Sequence, residues 1–388
     1  MRKEIPLSVP NLKSDIISNL EECIESGWVS TGGRFISELE SKIADYVQVP
    51  EAVSTQSGTA GLHLALKVLG VQPGDEVIVP TLTFVAAVNP ISYLGAYPVF
   101  MDCNEFFCID TEKLEDFLHN ECNSVDGMLY NRKTGRKVAA IIPVHVFGNL
   151  CDMERIMALS TRYNLKVLED ATEALGSYYT SGKYKGKYAG TIGDMGVYSF
   201  NANKIITTGG GGMVVSNHKS YLDHTRYLGI QAKDDTLYFV HNEVGYNYRM
   251  LNIQAAMGVS QIDQLEEFIR VKIRNFELYS KLLHDVNGLK MLPFSAGRVN
   301  HWFYALAVDK EIFGCSRNEL MHGLIEKGIQ CRPVWKLIHT LKPYEKCQGY
   351  KISRAMEFEE GVLNIPCSTN ITEEDVRYVV KEIEQFKR

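Results

Sequence analysis

The sequence predicts an α/β protein in two parts. A large domain over residues 1–250 is built on a mostly parallel mixed sheet, and a smaller C-terminal α+β domain over residues 251–388 is entered by a long helix. Three observations lead there. Short apolar runs alternate with helical periodicities through the first part, the rhythm of a doubly wound sheet. Residues 139–144 form a continuous apolar run, as a central parallel strand buried on both faces requires. From residue 300 the alternation changes, with a strand over 303–308 and helices over 317–327 and 373–386.

Taken in order, residues 11–26 carry Leu12, Ile16, Ile17, Leu20 and Ile24 at helical spacing, and a glycine-rich break holding Trp28 separates them from a second helix over 35–46. Ser57-Gly-Thr-Ala opens a helix that runs through Leu69. Strands follow at 77–79 and 97–101, with Phe84 just after the first, and then a helix over 111–118. Residues 119–137 are polar and read as a hairpin or loop insertion. A helix over 153–163 leads to a strand over 167–170 that ends in Glu169 and Asp170. A β-type run over 196–200 and a strand over 213–216 flank a loop, residues 229–247 are loop-rich, and one long helix is expected from 252 to about 284. Phe84, His145, Asp170 and Ser199 fall just past strand ends, where ligands collect in such sheets.

Composition narrows the function. Hydrophobic residues make up 45% and charged residues 23%, ordinary for a globular protein, and the net charge of −6 with no basic stripe gives nucleic acid no footing. The opening Met1-Arg-Lys-Glu-Ile-Pro has no apolar signal region, and no apolar run reaches the length of a membrane span. The nine cysteines are scattered without a CxxC pair, which reads as reduced thiols and excludes a zinc motif. The expectation is a cytoplasmic protein without a metal, a nucleic acid or a membrane as partner.

The stretch 196–213 organises the rest. A strand gives way to a polar turn, then Lys204, then Gly209-Gly-Gly-Gly212. Such a lysine is either a solvated surface group or a Schiff-base lysine for pyridoxal phosphate. That cofactor needs an acid to keep its pyridine nitrogen protonated, a flat group against the ring, and amides and hydroxyls around its phosphate. Asp170, Phe84 and the set Gly58, Thr59 and Ser199 stand in suitable places. Each has a plainer alternative: Asp170 as a helix cap, Phe84 as core, and Ser57 or Thr59 as an ordinary N-cap.

Ser57-Gly-Thr-Ala, Pro80-Thr-Leu-Thr-Phe84, Val144-His-Val-Phe-Gly148, Glu169-Asp-Ala171, Ser199-Phe-Asn-Ala-Asn-Lys204 and Gly245-Tyr-Asn-Tyr-Arg-Met250 occur in that order. Together they resemble the DegT/StrS-type nucleotide-sugar aminotransferases, from about residue 5 to the C-terminus. The resemblance implies fold type I of the pyridoxal enzymes and a homodimer with shared active sites. It implies that Lys204 forms the Schiff base and moves protons, that Asp170 pairs with the pyridine nitrogen, and that Phe84 stacks on the ring. Gly58, Thr59 and Ser199 would bind the phosphate, with Asn247 reaching it from the other subunit. Two positions depart from the family pattern. Glu173 stands where a glutamine often lies near the phenolic oxygen, and Gly210 replaces the glutamate of a usual Gly-Glu-Gly-Gly. A related branch that deoxygenates sugars carries histidine in place of the lysine, so Lys204 points away from it.

The expected reaction is a ping-pong transamination with glutamate as amino donor and a nucleotide-linked keto-sugar as acceptor. The 119–137 segment and Glu169-Asp-Ala-Thr-Glu-Ala-Leu-Gly176 resemble a subgroup that aminates an N-acetylated 4-keto-6-deoxyhexose on the way to legionaminic-acid-type surface glycans. Trp28 and His301 are candidate substrate contacts, with core packing as the alternative for both. Competing readings are a pyridoxal-dependent sugar dehydratase and a non-catalytic nucleotide-sugar sensor on the same fold; intact Lys204 and Asp170 stand against the sensor.

Overall fold

The structure of the protein, a computed structural model, describes residues 4–12 and 15–387. The expected helix over 11–26 begins at Ile16; positions 13 and 14 of that span, and Met1 to Lys3 of the N-terminal segment, lie outside the described residues. The large sheet takes β1 (Glu51–Thr55), β2 (Glu76–Pro80), β3 (Tyr97–Met101), β4 (Cys122–Val125), β5 (Met128–Asn131), β6 (Lys137–Ile141), β7 (Lys166–Asp170), β8 (Met195–Ser199) and β9 (Gly212–Ser216). Their order is β1-β9-β8-β7-β6-β2-β3, with the β4–β5 hairpin attached through β5 to β6. The 119–137 segment is therefore a hairpin that extends the sheet.

The run β3-β2-β6-β7-β8 is parallel, and β2 and β8 within it are buried along their whole length, as strands covered on both faces are. Along the path from β1 to β3, β9 runs antiparallel to both neighbours, as β5 does in the attached hairpin. Parallel strands need a crossover, usually helical, whereas β8 and β9 are joined by a loop without a helix and must pair antiparallel. That loop carries Lys204, so the same connection that reverses the strand also presents the lysine at the strand ends. Among the described residues, no helix is long and apolar enough to cross a membrane.

The long helix expected from 252 to 284 is two helices, Asn252–Ile262 and Leu265–Leu283. Lys42 lies at the break. Its Nζ takes the Val259 carbonyl at 3.3 Å, an acceptor that an unbroken helix would give to the amide of residue 263, and pairs with Asp263 at 2.7 Å. The first helix packs with Ile16–Ser26 and Arg34–Val47 on the large sheet, and the second carries the chain outward.

After the small hairpin of β10 (Lys233–Asp235) and β11 (Val240–His241), the C-terminal part builds an antiparallel sheet. Its strands are β12 (Leu289–Met291), β13 (Tyr304–Val308), β14 (Arg332–Pro333) and β16 (Val362–Ile365), in the order β12-β13-β16-β14. This is an α+β unit, but the expected division at 250/251 does not hold the two parts apart. Ile5 bridges Ile329 beside the small sheet, and β15 (Gly349–Tyr350) pairs in parallel with β3 of the large one. The Asn252–Ile262 helix also belongs by packing to the N-terminal part.

Candidate active site

A cavity of about 360 Å³ opens at the C-terminal ends of β7 and β8. Gly58, Thr59, Phe84, Asp170, Glu173, Ser199 and Lys204, all expected from the sequence, line it. The loop between β8 and β9 is bolted by its threonines. Thr207 Oγ1 donates to the Phe200 carbonyl at 2.9 Å and accepts from the Gly209 amide at 2.9 Å. The Lys204 amide donates to the Asn201 carbonyl at 2.9 Å, which closes the turn that aims the side chain inward.

Lys204 is sunk in the cavity wall, its side chain 12% exposed. Its Nζ lies 3.7 Å from Glu173 Oε1 and 4.2 Å from the centre of the Trp302 ring. Trp302 cannot swing away: its indole Nε1 donates to the Asn203 carbonyl at 2.8 Å, and its ring stacks on Phe303 at 4.0 Å. Glu173 Oε2 accepts from the Phe147 amide at 2.8 Å. Phe147 aims that amide by sitting in the left-handed region at φ 58°, where its ring packs 5.1 Å from Trp335. Asp170, at the end of β7, has Oδ1 held by the Thr172 amide at 3.0 Å.

Burial dominates the charges here. It pushes the Lys204 pKa down, with Glu173 and Asp170 opposing it. It pushes Asp170 up, against the Thr172 hydrogen bonds and the positive charge of Lys204. It pushes Glu173 up to about 7, with the Lys204 charge pulling the other way. Burial thus moves the amine and the two acids toward one another, the direction that acid–base work requires.

The Glu173 shift has a testable sign. In the folded protein Glu173 keeps its proton to about pH 7, in the unfolded chain only to about 4.5. The native state binds the extra proton between those values, so stability falls as pH rises through that window. Glu173→Gln is expected to flatten the fall. The variant should gain on wild type by roughly 1–3 kcal/mol near pH 7 and by little near pH 5. Urea-unfolding midpoints of the cofactor-free proteins measure this; parallel slopes would mean that Glu173 is ionised despite its burial.

The helix Gly58–Val68 starts at the cavity. Ser57 caps it by accepting from the Ala60 amide at 3.1 Å. The amides of Gly58 and Thr59, in the first turn, have no preceding carbonyl to bond and present the positive end of the helix dipole. A Cβ on Gly58 would stand 3.0 Å from Ser199 Cβ and 3.1 Å from Thr172 Cγ2, so glycine lets the helix start close against the end of β8. A Cβ on Gly212 would come within 2.6 Å of the Ser57 carbonyl carbon. Gly210 meets nothing tighter than Gln254 Nε2 at 3.5 Å, so a side chain fits there. Phe84 lies half exposed on the rim, 6.3 Å from Trp335. Amine, buried acid, aromatic rim and anion-ready helix start in one cavity fit pyridoxal phosphate.

Three expected residues lie elsewhere in this single chain. Asn247 is exposed on the segment after the β10–β11 hairpin, bridged to Ile230 and away from the cavity. Trp28 is 60% exposed, so it is not a packing anchor within the chain; its carbonyl accepts from Asn252 Nδ2 at 2.7 Å. His301 is buried, stacked on Phe294 at 3.9 Å, and burial lowers its pKa to about 3. His145 is beneath the site. Its Nδ1 accepts from the Cys151 amide at 3.2 Å, so Nε2 carries the proton and donates to Glu169 at 3.0 Å.

Trp302 and Trp335 were not foreseen, although both line the cavity. His301 sits at φ 53°, and that left-handed residue turns Trp302, not the histidine, toward Lys204. Only the pairing of two adjacent aromatics, Trp302 and Phe303, hints at this in the sequence.

The chain matches the DegT/DnrJ/EryC1/StrS aminotransferase family over residues 10–384. It is 37% identical over 386 residues to the GDP-perosamine synthase of Escherichia coli O157:H7, covering 99% of each protein. Among solved structures it is similar to DesI in the presence of its TDP-sugar product, at 26% identity and a TM-score of 0.87, over 99% of this chain and 93% of that one. It is also similar to Spr1654 of Streptococcus pneumoniae in a PLP form, at 25% identity and a TM-score of 0.86, over 99% and 98% of the two chains.

Proposed function

The chain belongs to the DegT/DnrJ/EryC1/StrS aminotransferase family, a pyridoxal-phosphate-dependent nucleotide-sugar aminotransferase, and from that premise we propose that it carries an amino group from glutamate to a nucleotide-linked 4-keto-6-deoxyhexose. The observation that supports this most is the buried Lys204, 3.7 Å from Glu173 in the cavity that also holds Asp170 and the start of the Gly58–Val68 helix.

Lys204 would hold the cofactor through Nζ, Asp170 would face its pyridine nitrogen, and Gly58, Thr59 and Ser199 would take its phosphate. Phe84 would cover the ring from the rim. When bound, the cofactor supplies an electron sink for the bond being broken. Lys204, its pKa lowered by burial, then takes a proton from one substrate carbon and returns it to another atom. The protonated form of Glu173 can donate a hydrogen bond toward a phenolate that the ionised form would repel. Trp302 limits where Nζ travels and keeps water from that face of the amine. Asn247 would act from a second copy in a homodimer with shared sites, and the work would be done in the cytoplasm.

The finer assignment is an N-acetylated sugar on the way to a legionaminic-acid-type surface glycan. It rests on the hairpin of residues 119–137 and the Glu169–Gly176 segment. The similarity to GDP-perosamine synthases favours a second reading, a GDP-linked sugar without the acetamido group. An absorbance experiment separates them. The purified protein should show a visible band that bleaches with glutamate and returns with a 2-acetamido 4-keto-6-deoxyhexose nucleotide. Return only with the GDP-linked, non-acetylated sugar would sink the finer assignment; a band that glutamate leaves unchanged would sink glutamate as donor.

A further inference from the structure

Phe147 touches both neighbours of the Lys204 amine through its backbone. Its amide donates to Glu173 Oε2 at 2.8 Å, and its carbonyl accepts from the Trp302 amide at 3.0 Å. Glu173 and Trp302 are the groups found 3.7 Å and 4.2 Å from Lys204 Nζ. Both bonds rest on the left-handed φ of 58°. Rotation into the ordinary range would turn one peptide group of Phe147 against the other, and the two bonds could not both be kept. A left-handed backbone is unfavourable for a bulky side chain and persists only where the surroundings over-determine it. The Phe147 ring must therefore be held.

Phe107 holds it. The two rings meet edge to face with centres 5.2 Å apart, and Phe107 is fully buried. Phe107 is itself left-handed, at φ 65°, but there the cause is local. Asn104 Oδ1 accepts from the Phe106 amide at 2.9 Å and the Cys108 amide at 3.1 Å, a turn that fixes Phe107 between them. Behind Phe107 stands Phe358, 4.4 Å away, on the helix Arg354–Gly361 of the C-terminal unit. That helix is seated on the large sheet. Asp102, just past β3, is buried and accepts from the Arg354 amide at 3.0 Å and the Ala355 amide at 2.8 Å. A line of three rings thus runs from the C-terminal unit to the peptide groups that flank Lys204.

We propose that Phe107, backed by Phe358, is a positioning residue: it locks Phe147 in its left-handed conformation and so fixes Glu173 and Trp302 beside Lys204. The proposal deepens the aminotransferase reading, and its test needs no turnover, so it can fail while that reading stands. Its consequence is a matter of protons. The Phe147 amide favours the ionised form of Glu173, against the burial that pushes this acid up to about 7. Without the amide the acid holds its proton to a higher pH. The charged groups facing Glu173 are Lys204, from the β8–β9 loop, and Asp170, at the end of β7. The histidines beside Phe147 and Trp302 are turned elsewhere, His145 to Glu169 and His301 to Phe294. Substitution at Phe107 or Phe358 alters none of these charges.

The test is the pH profile of urea-unfolding midpoints for the cofactor-free full chain, with wild type, Phe107→Leu and Phe358→Leu compared. In wild type the Glu173-dependent fall in stability ends where the folded acid ionises, at about pH 7. Expected in both leucine variants is a lower midpoint at every pH, together with a fall that ends higher by roughly half a pH unit or more, the scale of one lost hydrogen bond to a carboxylate. Adding Glu173→Gln to either variant should abolish that move. Phe358→Tyr keeps a ring against Phe107 from a half-buried position and should titrate as wild type does. Midpoints that drop equally at every pH would make Phe107 and Phe358 ordinary core and overturn the proposal. So would a move that survives Glu173→Gln, an equal move in Phe358→Tyr, a move downward (the sign of water reaching Glu173), or a wild type with no Glu173-dependent fall. Should Phe107→Leu fail to fold, Phe358→Leu decides.

Discussion

Lys204→Ala is expected to lower turnover by roughly 10³-fold or more, the combined loss of a covalent anchor and an acid–base group. The variant should still fold. Removing the amine removes a charge whose burial is unfavourable. It also leaves Glu173, already pushed up to about 7 beside a cation, free to take a proton and stay neutral. The Phe147 amide then keeps its acceptor at 2.8 Å. Cofactor binding should persist through Asp170 and the Gly58–Val68 helix start, without the visible band that covalent attachment to the amine gives. Steady-state kinetics, an absorbance spectrum and equilibrium dialysis with pyridoxal phosphate measure the three effects. Turnover within tenfold of wild type would show that another group moves the proton.

Asp170→Asn is expected to lower turnover by roughly 10²-fold or more, the usual scale for deleting one preorganised electrostatic group. The exchange is nearly isosteric, and an asparagine Oδ1 can still accept from the Thr172 amide at 3.0 Å, so the end of β7 keeps its geometry. The change lies in charge. A carboxylate holds a protonated pyridine nitrogen opposite it, and each stabilises the other's ionised form; an amide gives no such stabilisation. Cofactor affinity should fall along with turnover. Kinetics and cofactor dissociation at one pH test this, and an Asp170→Asn enzyme of ordinary activity would remove Asp170 from the role.

The parallel core was legible because each strand is a short apolar run ending in polar residues, and both properties are local. The cavity-lining set followed for the same reason: Asp170 and Ser199 are strand ends, and Gly58 and Thr59 are a helix start. What escaped detection depends on distant partners. Nothing near Asp263 announces the helix break, and the side chain bonded there, Lys42, comes some two hundred residues earlier. The two-residue β15 is too short to show periodicity. His301 looked like a polar group near a site, yet a single left-handed residue exchanged its direction with that of Trp302. Trp28 and Asn247 are exposed in one chain, and their surroundings in an assembly are not written in local pattern.

Ile5 lies against Ile329, and Gly349–Tyr350 lies against β3. The N-terminal residues thus brace the unit built last, while a late segment completes the sheet built first. A polypeptide severed near residue 250 would yield no pair of self-sufficient halves, since each half would keep an open flank that the other had closed. Synthesis imposes the same dependence in time: the large sheet waits for residue 350 before its outer edge is covered. Until then that edge is an unpaired strand open to other chains.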